Sequence, residues 1–324
     1  MGCDVGRWPV LYNAVILSLS VQGCGPPQPD QSPTKDDTVA SFATDDSSSD
    51  SDTPPTDTNE WAPNSLPCEP GARARHARLG VLTCVEAGTF TMGCVEGRDA
   101  NVDWCAGVPS RTVTLTRNFW MMTAEVTQAQ YGALMGANPS TQRSEFEDLP
   151  VDSVTRADAI AFANAVSAAE GAAACAGGDP YACAGWRLPT DAEWEYAARA
   201  HTDWPFAGGD EITRVGWTQA NASGSCRETT PAGPCSQPAC GLARNAFGLC
   251  DMTGNVWEWV YDDWSDYVRT DEVDPIGGRR DREFTARGAS WGSYEVETGL
   301  WTRLATKRTW KDSRLGFRLV RSLP

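Results

Sequence analysis

Gly185-Trp186-Arg187-Leu188-Pro189-Thr190-Asp191-Ala192-Glu193-Trp194-Glu195-Tyr196-Ala197 is the most informative stretch of the chain. Its second half opens with Thr190-Asp191-Ala192-Glu193, a capping box in which the Thr hydroxyl and the Glu carboxylate each satisfy an orphan backbone N–H. The box predicts a helix through Ala200, and Asp191 and Glu193 favour the positive end of its dipole. Working outward, Thr127-Gln128-Ala129-Gln130 is a second capping box; it predicts a helix to about Met135, stopped by Gly136 and Asn138-Pro139. A third helix is expected over about 156–169, with Thr155 as N-cap, Ile160, Ala163 and Val166 as its apolar stripe, and Gly171 at its end. Short β-like runs, such as Thr112–Leu115 and Phe317–Val320, lie between long Gly-, Pro- and Asn-rich stretches. The expected fold class is α+β, mixed and coil-rich, leaning on Trp packing, disulfides and ions.

The 324 residues carry 43 acidic and 27 basic side chains, a net charge of −16, with 14 Trp, 12 Cys and only two His. Two His cannot build a multi-His metal centre, and the acidic balance argues against a nucleic-acid partner. Residues 8–23 form an apolar run of signal-peptide length, too short to span a membrane as a mature helix. Val21-Gln22-Gly23-Cys24 resembles a bacterial lipobox, which makes Cys24 the expected lipidation site and 1–24 a lipoprotein signal peptide. An ordinary signal peptide is the alternative. Residues 25–67 hold nine acids against the single Lys35, with Pro clusters and the run DDSSSDSD at 45–52. Such a segment cannot bury enough apolar surface to fold and is expected to be a disordered acidic linker. The expected localisation is exported and lipid-anchored to the bacterial envelope, with membrane contact through the lipid alone.

The remaining domain, 68–324, has an even number of cysteines: Cys68, Cys84, Cys94, Cys105, Cys175, Cys183, Cys226, Cys235, Cys240 and Cys250. Export and even count point to disulfides. Close spacing suggests Cys94 with Cys105 and Cys175 with Cys183, some pairing among Cys226, Cys235, Cys240 and Cys250, and Cys68 and Cys84 completing the set. No CxxC occurs, which disfavours zinc ribbons and thioredoxin-type motifs.

An ordered series of motifs runs through this domain. It begins with Gly88-Thr89-Phe90-Thr91-Met92-Gly93 and continues with Glu125-Val126-Thr127 and Tyr131. The Gly185–Ala197 stretch follows, then Asn245-Ala246-Phe247-Gly248-Leu249 and Asp251-Met252-Thr253-Gly254-Asn255-Val256-Trp257-Glu258-Trp259. Arg287-Gly288-Ala289-Ser290-Trp291 and Gly316-Phe317-Arg318 close it. The set resembles the formylglycine-generating-enzyme, or sulfatase-modifying-factor, domain over roughly 80–322. The resemblance implies a C-type-lectin-like fold with little regular structure.

It also implies where chemistry would sit. Enzyme members bind Cu(I) through two Cys near the C-terminus, and soft thiolates select that ion. The matching positions here are Ser293 and Thr298, and no Cys follows Cys250. Neither hydroxyl holds Cu(I), so copper is not expected and no catalytic residue is assigned. The remnant pocket would comprise Trp257, Ser290, Trp291 and Ser293. Gly288-Ala289-Ser290-Trp291-Gly292 also matches a nucleophile-elbow pattern, but no His follows His201 to serve it. The resemblance further implies a structural Ca²⁺ held by Asp251, the carbonyls of Gly254 and Val256, and Glu258; oxygen ligands suit that hard cation. The alternative is that Glu258 pairs with a buried Arg and Asp251 caps a turn. A second family calcium site would start near Asn221 and Ala222, with no evident acidic partner downstream. Arg303, Arg308, Arg314 and Arg318 are expected to include buried partners for Glu195 or Glu258.

The expected function is a surface-anchored, non-catalytic recognition module for a protein, peptide or glycan. The alternatives are an oxidoreductase or other protein-modifying enzyme of this family using a different site, and a structural envelope component.

Overall fold

Each helix expected from a capping residue forms where its cap places it. In this computed structural model, which describes residues 59–60, 67–95, 98, 108–141, 148–175, 177–223, 233–278 and 283–322, α1 spans Gln128–Met135, α2 Arg156–Ala169 and α3 Asp191–Arg199. All three begin with a reciprocal capping box, built on Thr127 with Gln130, Thr155 with Asp158, and Thr190 with Glu193. Gly136 ends α1 at φ 78°, a left-handed cap that glycine adopts without steric cost. The core stripe of α2 keeps Ala163 and Val166 of the expected three but not Ile160. Ala159, Phe162, Ala163 and Val166 are buried, whereas Ile160 is only half-buried. Phe162 takes its place, sandwiched at 5.4 Å against Tyr131 of α1 and edge-on at 5.5 Å to Phe317. A one-turn helix, α4 (Ile212–Val215), was not signalled by any cap.

The strands make three small sheets. The first runs, in spatial order, β1 (Asn59–Glu60), β2 (Arg73–His76), β3 (Gly80–Val85), β6 (Phe119–Met122) and β12 (Val320–Ser322). The second runs β10 (Arg303–Lys307), β9 (Glu283–Arg287), β7 (Trp257–Asp263) and β11 (Leu315–Gly316). The third is β4 (Gly88–Met92), β5 (Arg111–Leu115) and β8 (Glu272–Val273). The expected run Phe317–Val320 is not one strand. Residues 315–316 pair in parallel with β7, while 320–322 pair antiparallel with β6. Between them the chain changes sheets, its Phe317 and Leu319 carbonyls accepting from Val126 and Met122 N–H. The crossing turns Arg318 toward β7.

Two large apolar clusters, and a small third of Phe206, Ile212 and Val215, form the core among the described residues. One gathers Trp120, Trp186, Trp259, Phe162 and Phe317, and the other gathers Trp194, Tyr196, Met121, Val260 and Leu249. Every residue of α3 is buried, so its charged side chains must be paired. Arg187 binds Glu193 through two hydrogen bonds of 2.6 and 2.8 Å.

Disulfides join Cys68 to Cys84, Cys175 to Cys183, and Cys240 to Cys250. Cys94 and Cys235 are also disulfide-bonded, while Cys105 and Cys226 lie outside the described residues. The same is true of the 1–24 leader, its Cys24, and the 25–67 stretch apart from Asn59–Glu60 and Pro67. Within that stretch β1 pairs in parallel with Ala74 and Arg75 of β2, a local difference from a wholly unstructured linker. Backbone pairing at a sheet edge needs no apolar burial, so composition does not exclude it. Among the described residues no helix is long and apolar enough to cross a membrane.

Candidate functional site

The 251–258 segment is a tight, internally stitched loop running into β7. Asp251, Gly254 and Asn255 have φ of 55°, 81° and 56°. Gly254 passes so close to Trp217 that a Cβ would lie 2.0 Å from the Trp217 carbonyl oxygen. Its N–H donates to Gly288 O at 2.7 Å, and the Asn255 N–H donates to Trp217 O at 2.8 Å. The Asn255 amide exchanges two further bonds with the Gln237 backbone. Val256 is fully buried behind this loop.

Pairing of β7 with β11 brings Arg318 onto Glu258. The guanidinium donates to both carboxylate oxygens at 2.7 Å, and Trp194 Nε1 donates to Oε2 at 2.9 Å. The remaining Arg318 donors reach the carbonyls of Thr123 and Cys250 at 3.2 and 3.0 Å. Glu258, expected among the calcium ligands, is thus engaged by the buried Arg of the alternative reading. Two more buried carboxylates lie beside this pair. Asp251 Oδ2 accepts the Cys240 N–H at 2.5 Å, but Oδ1 has no partner. Glu125, preceding α1, has neither oxygen partnered and is 1% exposed. Burial, with Asp251 adding to it, pushes the Glu125 carboxyl well above its usual range, against the pull of Arg318. Burial likewise pushes Asp251 up to about 6, opposed by the Cys240 N–H and Arg318. Three buried carboxylates therefore gather on the Arg318 guanidinium, with Arg244 a weaker cation beside Asp251, and negative charge is in excess when all are ionised. A dry interior sustains such an excess only with protons or a cation. The three unpartnered oxygens of Glu125 and Asp251 are hard donors that suit a divalent ion. The nearby sulfurs of Cys240 and Cys250 are spent on their disulfide and offer no thiolate.

Glu125 is the functional candidate that the motif reading quoted without assigning a role. A signal was present: an acid between the apolar Met121-Met122 and Val126 has little chance of reaching solvent.

The remnant-pocket residues are brought together in part. Ser290 and Ser293 are buried, with their hydroxyls 3.4 Å apart, and Ser293 Oγ accepts the Ser290 N–H at 3.2 Å. Ser290 Oγ accepts from Gly292 N–H. Thr298 is buried too, its hydroxyl donating to Glu295 O at 2.6 Å within its own turn. Both hydroxyls that replace the family cysteines are thus taken up by local backbone. Trp257 and Trp291 flank the loop half-buried, and Trp291 Nε1 donates to Ser313 O at 3.3 Å. Asn221, the start of the other possible calcium site, uses its side chain to hold the turn at Thr213, Gly216 and Thr218.

Cavities lie elsewhere among the described residues. One of about 440 Å³ sits between α2, the Cys175–Cys183 loop and the end of β7, and one of about 210 Å³ lies beside Arg111, Asp266 and Arg303. Asp262 and the Ile276–Gly278 backbone line both. Burial and the neighbouring Asp191 push Asp262 up to about 7. Its two oxygens accept the N–H groups of Asp191 and Gly277, so it anchors the strap between the cavities. Beneath, Glu195 binds Arg199 and Arg287; of the four arginines expected to include buried partners for Glu195 or Glu258, Arg318 takes Glu258. Arg199 lies one helical turn along α3 from Glu195, whereas Arg287, on β9, is reachable only once the sheet packs on α3. Of the expected four, Arg303 instead pairs with Asp191 and Arg314 with Asp312.

Comparison with known proteins agrees with this fold. The chain is 30% identical to the "Chaperone protein LppX" of Paenibacillus barcinonensis over 232 residues, 59% of this chain and 74% of that one. It is 40% identical to the formylglycine-generating enzyme of Mycobacterium tuberculosis over 92 residues, covering 27% of this chain and 31% of the enzyme. Among solved structures, Treponema denticola variable protein 1 superposes with a TM-score of 0.64 at 24% identity, over 75% of this chain and 95% of that one, a likeness of fold alone. Residues 69–323 match the model of the sulfatase-modifying factor enzyme 1-like domain, and the chain belongs to that family.

Proposed function

We propose that this chain is a non-catalytic recognition module of the family, binding a protein, peptide or glycan. The observation that carries the reading is the fate of the two family cysteine positions. Ser293 and Thr298 are buried hydroxyls bonded to their own turns, so neither a thiolate ligand nor a reactive thiol stands there. The name of the LppX relative denotes a chaperone, which supports a protein ligand. Display from the bacterial envelope through a lipid on Cys24 completes the proposal; loss of acyl labelling in Cys24→Ala tests it. The functional test uses the purified chain with Cu(I) and a Cys-containing sulfatase peptide. Binding of that peptide or of an arrayed glycan without aldehyde formation is expected. Copper-dependent aldehyde formation would overturn the reading.

We also infer a structural Ca²⁺ at the 251–258 loop. Glu125 and Asp251 would hold it through their free oxygens, with the Gly254 and Val256 carbonyls as the backbone ligands that the family resemblance implies. The ion would offset the excess negative charge of this cluster. Glu258 would remain with Arg318 and hold that guanidinium in place.

A further inference from the structure

We propose that the Cys240–Cys250 disulfide is a clamp that presets Asp251 for a divalent cation, so that cation affinity and the oxidation state of this one disulfide are linked. The inference rests on the calcium reading above and adds its control. Asp251 directly follows Cys250, and its Oδ2 accepts the N–H of Cys240, the other half of the bond. Both covalent ends of the clamp therefore act on one carboxylate.

Cys250 is immobile in its own right. Its N–H donates to Thr123 O at 2.9 Å, and its carbonyl accepts from Arg318 at 3.0 Å. Thr123 lies two residues from Glu125, so Cys250 is fixed against the loop that carries the second carboxylate. Cys240 is held differently. Its φ is 64°, left-handed backbone that costs a non-glycine residue free energy unless its surroundings impose it. The bond to Cys250 is the covalent restraint that does so. Without it, Cys240 can relax to an ordinary conformation and its N–H leaves Asp251. Asp251 Oδ1 is then no longer aimed by a fixed partner on Oδ2. Removal of an outer partner that orients a ligating side chain typically weakens metal binding about 10–100-fold.

Two disulfides serve as internal controls. Cys68–Cys84 and Cys175–Cys183 close short loops, but no hydrogen bond links their backbones to Asp251 or Glu125. Removing either costs stability without touching the proposed site.

The test is calorimetric titration of the full oxidised chain with CaCl₂. Wild type is expected to bind, Cys240→Ser/Cys250→Ser to bind at least tenfold more weakly, and Cys68→Ser/Cys84→Ser to match wild type within about twofold. Equal affinity in all three proteins overturns the clamp, as does an equal loss in both variants. A flat wild-type titration overturns the calcium reading itself and the clamp with it. A second measurement needs no variant to fold. By reciprocity of linkage, calcium must favour the disulfide by the factor by which the disulfide favours calcium. Wild type equilibrated with graded dithiothreitol, alkylated and mapped by mass spectrometry should show Cys240–Cys250 persisting at about tenfold stronger reducing conditions in CaCl₂ than in EGTA, with Cys175–Cys183 unmoved. No calcium effect on Cys240–Cys250, or the same effect on both, overturns the clamp.

Discussion

Glu258 and Arg318, sixty residues apart, meet through two hydrogen bonds of 2.7 Å at full burial, and the same guanidinium ties in the carbonyls of Thr123 and Cys250. This ion pair is the joint where the second sheet, the strand-switching C-terminal segment and the loop before α1 come together. Arg318→Met leaves the three carboxylates without the guanidinium that binds Glu258. Loss of one partner of a buried pair costs about 3–5 kcal/mol. Urea unfolding of Arg318→Met should show that loss, and Glu258→Gln/Arg318→Met should be less destabilised than the sum of the single changes. Strict additivity would show that the two residues do not act as a unit.

Calcium should raise the thermal midpoint of the wild-type chain and EGTA should remove the gain. At a hundredfold excess over Kd the stabilisation is about 2.7 kcal/mol. Glu125→Gln replaces one of the two carboxylates that carry unpartnered oxygens and should abolish most of the shift. A full calcium shift in Glu125→Gln would dismiss the residue as a ligand.

Asp262 should make the fold less stable as pH rises. Its folded value is about 7, above the ordinary carboxyl value near 3.8, so the folded state holds the proton more tightly than the unfolded chain. The stabilising effect is complete below about 4 and is lost as pH climbs through about 7. Glu195 acts in the opposite sense in a lower window. Burial raises its pKa, but Arg199 and Arg287 outweigh burial and hold it at about 2, so its contribution is lost as pH falls from about 4.5 toward 2. Melting curves at pH 5 and pH 8 should differ less in Asp262→Asn than in wild type. An unchanged difference would exclude Asp262 as its source.

Gly254→Ala would place a methyl group against the Trp217 carbonyl at a backbone φ of 81°. The left-handed conformation alone costs a non-glycine residue about 1–3 kcal/mol, and the collision adds to it. Chemical denaturation should show a loss at or above that range. Gly132→Ala in α1, where a Cβ meets nothing within 4 Å, should be neutral to stabilising.

The local chemistry of the chain was legible where a few adjacent residues decide the outcome. Thr127, Thr155 and Thr190 announce their helices because a capping hydroxyl and its partner three residues on lie within one turn. The sheet change at Phe317–Val320 was not legible. All four residues are compatible with one strand, and the break follows from having two different partners, β7 and β6. One partner of Glu195 was hidden for the same reason, since Arg287 lies 92 residues away and reaches α3 only through the packing of β9. Within the candidate site, Asp251 was legible through the family resemblance of the 251–259 motif. The isolation of Glu125 depends on what surrounds it in space, and no spacing in the sequence encodes that.

Strand β12 lies against β6 in the first sheet, with Val320 opposite Met121 and Ser322 opposite Phe119. A ribosome releases Phe119 roughly two hundred residues before it releases the partner that will cover that edge, a delay set by topology alone. During synthesis the Phe119–Met122 edge is therefore an unpaired, apolar template, open to mispairing until Val320–Ser322 emerges.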